Sequence, residues 1–231
     1  MKLPINQRLL ACCDFVRPGD RVADIGCDHG YLGLHLLMEG IARQVIAADL
    51  RPAPLDSARK NAQKYGFQEN IQFYLSDGVQ SIPRTFDVCV CAGMGAETMI
   101  SILAAAPWLK SSQYRLILQC QTKTHLLRQY LSQEGWFIRQ EVVRRDGKFR
   151  YTVMEVLWDP AAPRLTPGGC FIPPVMAASA DQDTQAHCRW IYREMKKILD
   201  SRGCEAPTLM AQALCQLEQD PQLAFLKEDT L

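Results

Sequence analysis

The sequence of 231 residues lacks the features of a membrane or secreted protein. It has no apolar run long enough to cross a bilayer, and its first eight residues, Met-Lys-Leu-Pro-Ile-Asn-Gln-Arg, contain no apolar core of a signal peptide. We therefore expect a cytoplasmic protein that has no membrane partner.

Cys-x-x-Cys pairs, internal repeats and low-complexity tracts are also missing. Ten cysteines are present, but without paired spacing in a chain of this size they predict reduced thiols in the core rather than disulfides or a structural zinc site. We accordingly expect no metal. A hydrophobic content of 48% and a charged content of 22% are typical of a globular protein with a sizeable core.

A complete dinucleotide-binding glycine pattern is lacking as well. Residues 21–32 read as a short apolar strand, a tight turn that holds Gly26 and Gly30, and the start of a helix. Asp28 stands where Gly-x-Gly-x-x-Gly has its middle glycine, and its carboxylate would repel a pyrophosphate. Together with Asp24, it favours a neutral or cationic nucleoside such as S-adenosylmethionine. A strand–turn–helix without any ligand is the alternative.

Two further acids follow strand-like runs. Asp49 ends the apolar run Gln44–Asp49, at the distance from the glycine turn that is typical of a ribose-binding acid. Asp77, followed by Gly78, comes after the run Ile71–Leu75. Because open α/β sheets bind ligands at the carboxyl ends of their strands, we expect these acids to meet at one edge.

Apolar periodicity predicts alternating strands and helices up to about residue 158. The predicted sheet closes with an antiparallel pair, Trp136–Val143 and Tyr151–Trp158, and is therefore a doubly wound α/β sheet. A Pro- and Gly-rich stretch at 159–169 predicts a linker, and two amphipathic segments beyond it predict a helical hairpin. We divide the chain into a first domain at 1–159 and a linker with a helical domain at 160–231.

Positive charge is concentrated in the middle of the chain. Residues 111–150 carry 8 Lys and Arg against 3 Asp and Glu, and they end in a basic segment, Arg144–Arg150. This segment is predicted to be a turn between the last two strands. It is either a solvated turn or a site that contacts nucleic-acid phosphates.

Four segments together resemble the TrmK family of bacterial tRNA (adenine-22, N1)-methyltransferases. They are Asp24-Ile-Gly-Cys-Asp-His-Gly-Tyr-Leu32, Ala92-Gly-Met-Gly95, Leu116-Ile-Leu-Gln119 and Asp146-Gly-Lys148. The resemblance covers about residues 5–158. It implies a Rossmann-like seven-stranded methyltransferase sheet, S-adenosylmethionine as cofactor, tRNA as partner and a coiled-coil-like C-terminal domain.

Three residues of the glycine turn are catalytic candidates. Methylation of N1 of adenine needs no strong base, but it leaves a cationic product that a carboxylate stabilises. Asp28 is the candidate for that role, and its alternatives are a ligand of the cofactor amino group or a helix cap. His29 is a candidate for orienting the base or accepting a proton, and Tyr31 for stacking on it.

The remaining site predictions fall into two groups. The cofactor-binding candidates are Asp24, Gly26, Gly30, Asp49, Leu50, Asp77, Gly78, Ala92, Gly93 and Met94. The candidates for contact with substrate or RNA are Gly95, Gln119, Arg144, Arg145, Lys148 and Arg150. The alternative functions are a small-molecule methyltransferase and a non-catalytic cofactor-binding interaction protein. We expect a monomer or a weak oligomer.

Overall fold

In a computed structural model of the chain, residues 3–147, 149–202 and 208–227 are described. They form a seven-stranded sheet in the order β3-β2-β1-β4-β5-β7-β6. The strands are β1 Arg21–Ile25, β2 Gln44–Asp49, β3 Ile71–Leu75, β4 Val88–Met94, β5 Arg115–Cys120, β6 Trp136–Asp146 and β7 Phe149–Trp158. β1 to β5 pair in parallel, whereas β7 pairs antiparallel with both β5 and β6. The predicted seven-stranded α/β sheet is confirmed.

Helices cover both faces of the sheet. α1 Gln7–Cys13 precedes the first strand, and the helices that connect strands are α2 Tyr31–Met38, α3 Pro52–Tyr65, α4 Ala96–Ala104 and α5 Thr124–Gln133, with a 3-10 turn at Pro107–Leu109. α1, α2 and α3 pack on one face, and α4 and α5 pack on the other. The central strands are buried on both faces, which explains their nearly continuous apolar sequence.

The C-terminal part is also helical. It contains α6 Pro167–Phe171, α7 Pro174–Ala177, α8 Gln182–Arg202, α9 Thr208–Gln219 and a 3-10 segment at Pro221–Lys227. α8 and α9 share a separate apolar cluster and are linked by a hydrogen bond from the Tyr192 hydroxyl to Glu218 at 2.9 Å. The predicted pair of C-terminal helices is therefore present.

Two predicted element boundaries were wrong. The spacing of Leu9, Leu10, Cys13 and Val16 predicts a first helix at 5–16. α1 begins instead after Asn6, whose side chain caps it by accepting a hydrogen bond from Leu9 N–H at 2.9 Å, and it ends at Cys13. The predicted linker at 159–169 contains the start of α6. There the Thr166 hydroxyl caps the helix by accepting from Gly169 N–H at 3.1 Å, and Pro167 occupies the first turn. Pro and Gly therefore do not prevent a helix at this point.

A buried ion pair joins the sheet to the C-terminal helices. Arg128 of α5 and Glu141 of β6 are both almost completely buried, and their side chains form a two-pronged ion pair with N–O distances of 2.6 and 3.1 Å. The same guanidinium donates to the carbonyl oxygens of Cys170 and Phe171 at 3.1 and 2.8 Å. Gly168 N–H of α6 in turn donates a hydrogen bond to the Gln216 side-chain oxygen of α9, at 2.8 Å.

A second buried carboxylate lies on the same pair of strands, where Glu155 pairs with Gln140, the residue before Glu141. Glu155 of β7 is fully buried and is surrounded by the guanidinium groups of Arg17, Arg115 and Arg139. Arg115 also donates to the Phe15 carbonyl at 3.2 Å. This cluster ties the segment between α1 and β1 to the β5–β7–β6 edge.

Replacing Arg128 by Met should destabilise the protein by about 3–5 kcal/mol, because Glu141 would remain as an unpaired buried charge. Urea unfolding followed by circular dichroism measures this change. R128M/E141M should recover part of the loss, although two α6 carbonyls stay without their donor.

The matched control is K197A, which removes the exposed pair between Lys197 and Glu194. It should change the free energy of unfolding by less than about 1 kcal/mol. Equal stability of R128M and K197A would contradict a structural role for the buried pair.

Candidate functional site

The glycine turn between β1 and α2 is held against the neighbouring strands. Gly26 N–H and Cys27 N–H both donate to the Ala48 carbonyl of β2, at 2.8 and 3.0 Å. Gly26 has a φ of +72°, and a Cβ there would lie 2.4 Å from the Met94 methyl carbon. The left-handed backbone conformation therefore favours glycine at position 26.

Asp49 lies directly beside this turn, at the end of β2. One of its carboxylate oxygens accepts from Asp28 N–H at 3.3 Å, and the other accepts from Arg51 N–H at 3.0 Å. A carboxylate oxygen has a second lone pair, so Asp49 can accept further hydrogen bonds. This is the arrangement that suits the hydroxyl groups of a ribose.

Two exposed leucines stand next to Asp49. Leu50 is 65% exposed and Leu75 is 57% exposed, and Leu75 pairs with Asp49 across β2 and β3. The exposed Asp77 follows in a turn that Ser76 stabilises, because its hydroxyl donates to Gly78 O at 3.0 Å and accepts from a backbone N–H. Exposed apolar side chains beside a carboxylate fit a planar base with an amino group. Leu75 was not predicted as a site residue, although its position as an apolar residue at the end of a strand could have indicated it.

The sequence predicts that Asp24 and Asp28 both place carboxylates at the mouth of the turn, but Asp24 does not lie there. It is part of β1 and only 4% exposed, because β1 extends one residue beyond it. Within the described residues, its Oδ2 has no hydrogen-bond partner. Burial, together with the nearby Asp49 and Asp28 carboxylates, raises the pKa of Asp24 to about 7, although a hydrogen bond from the Gly33 backbone opposes this shift. Asp24 is therefore a buried carboxyl group of β1.

The three predicted catalytic residues do come together at the surface. Asp28 and His29 are exposed, and their side chains approach to 3.8 Å between Oδ1 and Nε2. The rings of His29 and Tyr31 stack with centroids 5.6 Å apart. Asp28 has a φ of +50°, an uncommon backbone conformation for a residue other than glycine. The helix-cap interpretation of Asp28 was wrong, because Gly30 is the N-cap and no side chain bonds there.

The end of β4 is organised by a buried glutamine. The Gln119 side-chain oxygen accepts from Gly93 N–H at 3.0 Å and from the Arg8 guanidinium at 2.9 Å. Gly93 has a φ of +83°, and a Cβ there would lie 2.8 Å from Arg8 Nη1. Gln119 was predicted to contact RNA, but it is completely buried and instead positions Gly93 and Arg8.

Ala92, Met94 and Gly95 complete this segment, and all three are partly exposed. Ala96 N–H and Gln121 N–H bond across to Thr122 O and Met94 O, at 3.1 and 2.8 Å, so the loops after β4 and β5 are joined. Arg8 was not predicted as a site residue. Its signal is a single cation in the otherwise uncharged helix α1.

The basic segment contains the predicted turn, at Gly147, but its arginines lie on the flanking strands and do not form one patch. Arg144 and Arg145 belong to β6 and Arg150 to β7, because the strands continue to a tight turn at Gly147. Neighbouring strand residues point to opposite faces, so Arg144 lies near Asp14 on the α1 side. Arg145 and Arg150 are direct cross-strand partners on the other face. Lys148 lies outside the described residues.

No group of three metal-ligating side chains occurs within the described ranges. The same ranges contain no helix with the length and apolar character needed to span a membrane. The nine described cysteines are free, and eight of them are buried. Burial raises the pKa of the Cys12 thiol to about 12, so this thiol is unreactive at neutral pH.

A family model described as a methyltransferase domain matches residues 5–154, which include the glycine turn, Asp49 and the β4 segment. The chain belongs to this family. The matched residues therefore include all four segments on which the resemblance to the TrmK family is based.

One curated relative is the tRNA (adenine(22)-N(1))-methyltransferase of Bacillus subtilis (strain 168). It is 30% identical over 149 residues, which are 64% of this chain and 63% of that protein. The match thus spans less than two thirds of the relative's length. The resemblance to the TrmK family that the motifs indicate is confirmed by this match.

Solved structures extend the likeness to the C-terminal helices. The B. subtilis m1A22 tRNA methyltransferase TrmK has a TM-score of 0.79 at 24% identity, with 98% of each chain covered. The Streptococcus pneumoniae protein Sp1610 in complex with S-adenosyl-L-methionine has a TM-score of 0.78 at 25% identity. That comparison covers 91% of this chain and 99% of the other. The methyltransferase domain and the C-terminal helices of this chain therefore have the same fold as these solved structures.

The raised pKa of Asp24 predicts a pH-dependent stability of the ligand-free protein. The folded state holds this proton more tightly than the unfolded chain, so stability falls as the pH rises from 3.8 to about 7. D24N mimics the protonated form. It should flatten this part of the profile and exceed the wild type in stability at pH 8, by on the order of 1–4 kcal/mol.

Thermal or urea unfolding at a series of pH values measures both effects. D77N removes a carboxylate from the same edge of the sheet, but an exposed one, and should leave the profile unchanged. Parallel profiles for D24N and the wild type would show that Asp24 titrates normally.

Proposed function

We propose that the chain is an S-adenosylmethionine-dependent methyltransferase that modifies N1 of an adenine in tRNA. The observation that carries the proposal is the joining of a glycine turn to the Asp49 carboxylate in a chain of the methyltransferase domain family. The curated relative from B. subtilis, whose name gives adenine 22 of tRNA as its target, supports the choice of substrate.

The carboxyl edge of β1, β2 and β3 fits S-adenosylmethionine in shape and charge. The glycine turn presents its backbone directly beside the Asp49 carboxylate, where a ligand can approach it. Asp49 would hold the ribose, Leu50 and Leu75 would enclose the adenine, and Asp77 would accept from its amino group. The Streptococcus pneumoniae structure with bound S-adenosyl-L-methionine supports this assignment.

When bound, S-adenosylmethionine supplies an electrophilic methyl group. N1 of the target adenine has its own lone pair, so the protein's task is to align the base and to stabilise the positive charge that develops on it. Asp28 is proposed for this second task because its carboxylate is exposed and its backbone is fixed by Asp49.

The other residues of the site would position the base. His29 lies within 3.8 Å of Asp28 and can orient that carboxylate, and Tyr31 offers a ring for stacking. Gly93 and Gly95 leave the backbone at the end of β4 open to the base. Arg8 and Gln119 hold Gly93 in its left-handed conformation.

The β6–β7 hairpin is proposed to contact tRNA phosphates. Arg145 and Arg150 are exposed and lie directly opposite each other, and like charges in that relation are destabilising. A phosphate between them would remove this repulsion.

We also propose a cytoplasmic location, a monomeric or weakly oligomeric state and a domain boundary at 159/160.

Two alternatives would leave tRNA unmethylated: a small-molecule methyltransferase and a non-catalytic cofactor-binding protein. Purified protein is incubated with labelled S-adenosylmethionine and unmodified tRNA, and the digested nucleosides are identified by mass spectrometry. We expect 1-methyladenosine. Tight cofactor binding without any labelled tRNA would reject the proposal in favour of these alternatives.

D28N should lower the rate of methyl transfer by about 100-fold, because it removes the carboxylate that stabilises the cationic base. Cofactor affinity, measured by calorimetry, should stay within about threefold. The matched control is E69Q, which removes one exposed charge at the opposite edge of the sheet and should retain full activity. Loss of cofactor binding in D28N would instead place Asp28 in the cofactor site.

D49N should weaken cofactor binding by at least about tenfold, since a charged acceptor for the ribose hydroxyls becomes a neutral one. Calorimetric titration with S-adenosylhomocysteine measures this change without turnover. Wild-type affinity in D49N would remove Asp49 from the proposed cofactor site.

A further inference from the structure

A cavity of about 710 Å³ lies between the sheet and the C-terminal helices. Its walls come from the segment after β5, Cys120–Thr124, from the β7 residues Phe149–Thr152, and from α8 and the start of α9. This volume is within the range of small-ligand sites in proteins. The predicted methyltransferase motifs do not account for it.

The cavity shares a wall with the proposed active site. Gln121 N–H donates to Met94 O at 2.8 Å, and Ala96 N–H donates to Thr122 O at 3.1 Å. The segment that lines the cavity therefore also holds the Met94–Gly95 end of β4. The cavity and the end of β4 therefore lie against the same segment.

Exposed aromatic rings stand at this cavity. Phe149 is 56% exposed and Trp190 is 52% exposed, and no other Phe, Tyr or Trp in the described part of the chain is more than half exposed. Trp190 stacks on His187, with ring centroids 5.5 Å apart and planes 18° from parallel. Exposed aromatic rings of this kind mark interaction surfaces.

The histidines of the cavity wall are neutral at physiological pH. Burial, together with the nearby Arg128 and Arg150 guanidinium groups, lowers the pKa of His187 to about 4. Burial likewise lowers the pKa of His125, which stacks on Phe171 at 4.6 Å. The deeper wall therefore offers flat, uncharged rings.

Cations stand near these rings. Arg150 and Lys123 line the cavity, and Glu194 is the one acid among the described residues that do so. The Lys123 ammonium group is paired with Glu97 at 2.6 Å, whereas Arg150 faces Arg145 across the hairpin. Flat rings beside a guanidinium group match the two parts of a nucleotide, a base and a phosphate.

We propose that this cavity binds an unpaired nucleotide of the RNA substrate, adjacent to the target adenine, with its base on Trp190 and its phosphate on Arg150. The inference rests on the proposed function. RNA is favoured over a separate small molecule because the cavity shares the Cys120–Thr124 wall with the active site. On this assignment α8 supplies one wall of an RNA site, which is a role for the C-terminal helices.

W190A should weaken tRNA binding by at least about tenfold, because stacking on an aromatic side chain contributes substantially to the binding of each base. W190F keeps a ring at this position and should bind within about threefold of the wild type. The matched control F137A removes another exposed aromatic side chain, on β6 and away from the cavity. Filter binding with the full chain and unmodified tRNA measures all three.

The proposed phosphate contact of Arg150 is tested by the salt dependence of tRNA binding. R150Q should reduce the slope of log affinity against log salt by about one, as expected for the loss of one phosphate contact. R164Q removes an exposed arginine outside the cavity and should keep the wild-type slope. S-adenosylhomocysteine affinity, measured in parallel, should be unchanged in every variant.

The outcomes separate the two proposals. If the wild type methylates tRNA and W190A binds tRNA as tightly as F137A does, the cavity is not an RNA site and the inference alone fails. If the wild type binds the cofactor but neither binds nor methylates tRNA, the proposed function fails and the inference fails with it. Weak binding by W190A and normal binding by W190F support the inference.

Discussion

The buried pair of Arg128 and Glu141 is the contact on which the two halves of the molecule depend. Isolated buried charges are costly, so each member requires the other, and the guanidinium also satisfies two carbonyls of α6. Since α6 is bonded to α9 through Gln216, the pair positions the C-terminal helices relative to the sheet. The cavity beside α8 exists because this relation is fixed.

At the proposed active site, the dominant constraint is the concentration of carboxylates at one edge of the sheet. Asp24, Asp28 and Asp49 lie around one turn, and their mutual repulsion together with burial keeps the pKa of Asp24 near 7. Backbone N–H groups from Asp28 and Arg51 stabilise Asp49. An edge of this charge suits a cationic ligand and opposes a pyrophosphate, as the sequence also indicated.

The arginines of the β6–β7 hairpin are close together in the sequence but lie on different faces of the sheet. Arg144, Arg145 and Arg150 form one basic run along the chain, but strand alternation places Arg144 on the α1 side and the other two on the α8 side. Only Arg150 lines the cavity. A charge run therefore describes a surface only when the face of each residue is known.

The sequence by itself determined the elements that local chemistry specifies. Apolar runs of strand length, the glycine turn and the acids that follow β2 and β3 depend on neighbouring residues, and all were predictable from spacing. Tertiary structure alone decided the partners of distant residues. It brought Arg8 to Gln119 and Gly93, buried Gln119 and Asp24, and paired Arg128 with Glu141, because burial and pairing depend on contacts between elements far apart in the chain.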